Sequence, residues 1–134
     1  MIKYIAVFSL ILIAYSNVLA GGKNNFNLVG EWFGEAPNGD KVTYVFKKDG
    51  NVDWIIDTKV SQGGTIKAKY KTDSSKKPIT IDIFDFDNEQ MKNLHWVGII
   101  KFIEKNKLLI RGNIDSQVGR PTNFESEAIE LTRE

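Results

Sequence analysis

His95 is the only imidazole in the chain, and no cysteine accompanies it. A nucleophilic triad would need His95 to meet a hydroxyl and a carboxylate in space. The sequence carries no nucleophile motif, and strand alternation turns Trp96 inward and His95 towards solvent. Asp82, Asp85, Asp87 and Glu89 could offer oxygens to a hard cation such as calcium, but they lack the spacing and the glycine of an EF-hand loop. They read as a solvated loop. No feature fixes two carboxylates at the separation that glycoside hydrolysis requires. Lys67, Lys69 and Lys71 share a strand face, with Lys76 and Lys77 just beyond. Nucleic-acid binders combine such stripes with exposed aromatics and an overall basic domain. Here Tyr70 faces the other way and the charges balance, so these lysines are expected on a soluble outer wall, where they discourage edge pairing. The side chains therefore point away from an enzyme, a cofactor, a metal site and nucleic acid.

The chain has 134 residues, with 18 basic and 17 acidic side chains and 42% hydrophobic residues. That is enough for one domain with a real core. Residues 1–20 have a secretory layout: Lys3, an apolar run from Tyr4 to Tyr15, then Ser16, Asn17 and Val18-Leu19-Ala20. The run falls short of the roughly 20 apolar residues of a membrane span. Cleavage is expected after Ala20, giving an extracytoplasmic product with no membrane span. Removing the leader takes Lys3 from the 18 basic residues and leaves 17 against 17 acidic, so no strongly charged partner is implied. Without cysteine there is neither a disulfide nor a lipid attachment point, and a packed core must hold the fold. Residues 21–27 form a Gly- and Asn-rich lead-in, and residues 28–134 the folded domain, expected to be a monomer.

Turn signals recur at short intervals: Pro37-Asn38-Gly39-Asp40, Asp49-Gly50, Gln62-Gly63-Gly64, Asp73-Ser74-Ser75, Lys105-Asn106 and Asp115-Ser116-Gln117. Between them apolar residues alternate with a period of two, as in Val42, Tyr44 and Phe46, then Val52, Trp54 and Ile56, then Ile79, Ile81 and Ile83. The first strand is expected from Leu28 to Phe33. Two longer strands follow, Leu94 to Glu104 and Lys107 to Ile114, after a polar stretch from Asp85 to Asn93 that has room for a turn of helix. The last strand, Asn123 to Thr132, changes phase between Ala128 and Ile129, which predicts a bulge. Eight sequential strands with short connections give an all-β, eight-stranded up-and-down antiparallel barrel.

On that frame Gly30-Glu31-Trp32 resembles the Gly-x-Trp signature of the lipocalins. The ordered series Gly30-x-Trp32, Asp49-Gly50, Tyr70, Pro78-x-x-Ile81-Asp82-Ile83, Gly98-Ile99, Leu108-x-Ile110 and Arg120-Pro121-x-x-Phe124 resembles a small lipocalin-like domain family of secreted bacterial proteins, common in planctomycetes, whose function is not established. It departs from that family at Ile100, where an aromatic is usual, and near Ile110, where a cysteine often sits. The resemblance implies that a basic residue from the end of the barrel packs across Trp32, with Arg120 favoured over Arg133. Gly30, Trp32, Arg120 and Pro121 are thus expected to be structural. Tyr44, Trp54, Tyr70, Trp96 and Phe102 are the expected lining of an interior that either binds a small hydrophobic ligand or is filled as core. Gly98 and Gly112 leave room inside or allow sharp coiling. The alternative function is a protein-interaction module, such as an extracytoplasmic enzyme inhibitor, that presents its loops or the 21–27 segment to a protein partner.

Overall fold

The computed structural model describes residues 27–57 and 64–134. The proposed leader and nearly all of the lead-in lie outside the described residues. The alternating segments form β1 (Gly30–Glu35), β2 (Lys41–Phe46), β3 (Asn51–Asp57), β4 (Thr65–Asp73), β5 (Ile79–Phe84), β6 (Trp96–Glu104), β7 (Lys107–Ile114) and β8 (Ile129–Arg133). Each strand pairs antiparallel with its neighbour in sequence, and β8 returns to β1, closing an up-and-down barrel. The closing seam is short, with Trp32 opposite Arg133 and Phe33 opposite Thr132.

The period-two pattern becomes the inner and outer walls. Trp32, Val42, Phe46, Val52, Ile81, Ile83, Leu108, Ile110 and Leu131 face inward, and each is at most 5% exposed. Outer lysines interleave with carboxylates. Lys47 and Lys67 each lie 3.3 Å from Asp53, Lys69 lies 3.3 Å from Asp85, and the Lys71 ammonium sits 5.6 Å from the Phe84 ring centre. Lys67 and Lys69 of the basic stripe are thus locally compensated.

Three local expectations are corrected. The first strand begins two residues later than expected, at Gly30, because Leu28 gives its carbonyl to Trp32 Nε1 (2.8 Å) and not to a strand partner. The stretch from Asp85 to Asn93 forms turns and no helix: its two i→i−3 bonds, from Met91 N–H to Asn88 O and from Leu94 N–H to Met91 O, are isolated and do not form consecutive helical turns. The strand expected from Asn123 is only Ile129–Arg133, so no bulge is needed to reconcile its two phases. The residues before it form an irregular segment that crosses the outside of the barrel. The ladder irregularity of the long hairpin lies instead between Phe102 and Glu104.

That crossing segment, residues 115–128, explains two outward-facing residues that are buried. Val97 is 3% and Ile99 1% exposed although both belong to the outer register of β6. Asn113 Nδ2 donates to Gly119 O (3.0 Å), Arg111 donates to Asn123 O (2.8 Å), and Arg120 donates to Gly98 O (2.9 Å). Together with the bond from Arg120 to Ile81 O these strap the segment across β5, β6 and β7, and its own Pro121 is buried.

Candidate functional site: a filled barrel with an opening in its wall

The five expected lining residues divide between two environments. Tyr44, Trp54 and Trp96 lie in a continuous aromatic core. Tyr44 stacks on Trp54 at 5.7 Å, and Trp54 meets Trp96 edge-on at 6.1 Å and Phe86 at 6.2 Å. The Trp96 indole lies across Gly98 and Gly112, which are cross-strand partners on β6 and β7. A Cβ at Gly112 would come within 2.1 Å of the indole, and one at Gly98 within 2.6 Å. The room that the glycines leave is therefore filled by the protein's own tryptophan. Phe86, 2% exposed, seals this end together with the partly buried Met91 and Leu94 of the β5–β6 connection. Asp87 N–H holds that connection down by donating to Lys67 O (2.9 Å).

Tyr70 and Phe102 lie at the opposite end. The β5–β6 ladder stops at Ile79 opposite Ile100, while β6 continues to Glu104. Beyond that last pair the barrel wall opens. The opening is a cavity of about 1120 Å³ whose apolar lining includes Leu28, Tyr70, Ile79, Ile100, Phe102 and Phe124. Small-ligand pockets run to roughly 300–1,000 Å³, so this open-mouthed space is large enough for one. Tyr70 is fixed by its hydroxyl, which donates to Lys47 O (2.8 Å), and by edge contact with Phe46 at 4.9 Å. Burial and the nearby Asp49 carboxylate both push the Tyr70 phenol pKa upward, so the ring meets the cavity as a neutral group. Phe102 leans edge-on against Trp32 at 6.1 Å.

The partner of Trp32 is Arg133 and not Arg120. The Arg133 guanidinium lies 4.4 Å from the Trp32 ring centre. The register explains this, because Arg133 is directly opposite Trp32 and so shares its face of the sheet. The same guanidinium donates to the carbonyls of Asn27, Val29 and Lys105, and Arg133 Nε donates to Asn106 Oδ1. One side chain thus ties together the segment before β1, the β6–β7 turn and β8. Gly30 makes room for it, since a Cβ there would come within 2.8 Å of Arg133 Cδ.

Arg120 is structural on the outer wall. It lies 2.8 Å from Asp82 Oδ1 and also donates to Ile81 O (3.3 Å). His95 Nε2 lies 3.1 Å from the other Asp82 oxygen. The Asp82, Arg120 and His95 cluster had one sequence signal, a single acid within the run Ile79 to Ile83, and its two partners are too distant in the chain to be inferred. Among the described residues no hydroxyl bonds to His95, and no group of three His, Cys, Asp or Glu side chains is placed to hold a metal. Asp85 and Asp87 are engaged separately, the latter accepting from Lys67 N–H (3.1 Å). Among the described residues no helix is long and apolar enough to cross a membrane. No family model, curated protein or solved structure matches the chain.

Proposed function

We propose that the chain is a secreted, non-enzymatic, lipocalin-like barrel that binds one small hydrophobic molecule at its open end. The observation that carries this reading is the opening in the wall beyond the last β5–β6 pair. Trp54, Phe86 and Trp96 fill one end and Trp32, Phe46 and Leu108 the centre of the other, while beside the latter Leu28, Tyr70, Ile79 and Phe102 line a cavity of about 1120 Å³. Exposing several apolar side chains in a concave space is unfavourable unless something covers them. The absence of a catalytic role is supported by His95, which is engaged with Asp82 on the outer wall and does not line the cavity. Secretion is supported by the leader pattern of residues 1–20.

Native mass spectrometry of the protein purified from its own host tests this reading. A reproducible small extra mass is expected, lost on denaturation and lost in Phe102→Arg. A bare chain mass would overturn the carrier reading and return the protein-interaction module as the working function.

A further inference from the structure

We propose that the open end selects single-chain amphiphiles with an anionic head group. The chain would lie against Leu28, Tyr70, Ile79 and Phe102, and the head among Lys76, Lys77 and Lys101. This rests on the reading that the cavity takes an apolar ligand, and adds a rule for its head group. The lining is amphipathic and of one sign, because it contains these three lysines and no Asp or Glu. Elsewhere Lys47, Lys67, Lys69, Lys92 and Lys107 each sit within 4 Å of a carboxylate, whereas among the described residues Lys41, Lys48, Lys71 and Lys105 do not, and none of these nine lines the cavity. Among the described residues Lys76, Lys77 and Lys101 enter no such pair.

The nearest acid in sequence, Asp73, is turned to its own loop. It accepts from Ser75 Oγ (2.6 Å) and Ser75 N–H (3.0 Å), bonds that hold its carboxyl below the usual range with a smaller contribution from the Lys76 charge. Lys76 and Lys77 come from the β4–β5 turn, and Lys101 from β6, one residue past the last β5 pair, so they stand on the two sides of the opening. An ammonium on a flexible stem can reach the water boundary and meet an anion there while its methylenes cover apolar surface. Thr72, Ser74 and Asn123 also line the space and can donate to the same head group.

Calorimetric titration of the full chain with decanoate, decyl phosphate, decanol and decyltrimethylammonium tests the rule. Both anions are expected to bind roughly tenfold more tightly than decanol, an advantage that added salt erodes. Whichever anion leads identifies the head group as carboxylate or phosphate. In the exposed triple substitution Lys76→Gln, Lys77→Gln and Lys101→Gln, decanol binding should persist and the anion advantage should vanish. Equal affinity for decanol and decanoate, or preference for the cationic amphiphile, overturns the head-group rule and leaves the apolar cavity standing. No binding by any of the four overturns both.

Discussion

Arg133 and Arg120 illustrate what single side chains contribute. Both could supply a guanidinium to Trp32 on sequence grounds, and register alone separates them. Arg133→Ala removes the stack on Trp32 and four hydrogen bonds, two to the segment before β1 and two to the β6–β7 turn, beside a seam where β1 and β8 share only two paired positions. A loss of about 2–4 kcal/mol is expected in urea unfolding. A loss below about 0.5 kcal/mol would show that the seam does not depend on Arg133. Tyr44 gives a pH prediction. It is 2% exposed, and burial raises its phenol pKa far above the ordinary value of about 10. Below about pH 10 the phenol is protonated in both states and adds no pH dependence. Above that the unfolded chain ionises while the folded one resists, so stability falls as pH rises. Tyr44→Phe should therefore flatten the decline measured between about pH 9 and 11, and an unchanged slope would contradict this. Tyr70 titrates in the same direction and leaves a residual slope. The facing of Tyr44, Trp54 and Trp96 was legible in the sequence. Their division from Tyr70 and Phe102 was not, because alternation gives the face of a strand and not the position along the barrel axis.

Elements explain that division. The barrel is filled where β6 and β7 bring Gly98 opposite Gly112 and Trp96 takes the space. It is open where β6 outruns β5. Gly112→Ala would force the indole aside and should cost about 1–3 kcal/mol, the usual scale of overpacking. In a Trp96→Phe background the same substitution should cost markedly less, and equal costs in the two backgrounds would contradict the packing described. The strands were largely readable, since their alternation is local. Only the last part of the strap, Asn123 to Ala128, carries the alternation of a strand, because Phe124 and Ala128 share parity. What replaces that strand is a set of long-range bonds from Arg111, Asn113 and Arg120, and the side chains alone give no sign of their partners.

At the scale of the whole molecule, the closed ladder fixes the wall and the cavity lies beside it where β6 runs beyond β5. A chain of rings runs from Trp96 through Trp54, Tyr44 and Phe46 to Tyr70, joining the sealed end to the cavity. Aromatic contacts of this kind hold side chains in fixed orientations, which gives a ligand a preformed floor and keeps the ordering cost of binding small. The surface offers little else that is apolar: among the described residues only Val29, Phe33, Ile103 and Val118 are large, hydrophobic and exposed. The most direct test of the account is an amide and indole NMR titration of the full chain with decanoate. Saturable shifts are expected at Leu28, Tyr70, Thr72, Ile79 and Phe102, with the Trp96 indole signal unmoved. Shifts centred on Trp54 and Trp96, or no saturable shift at the open end, would contradict it.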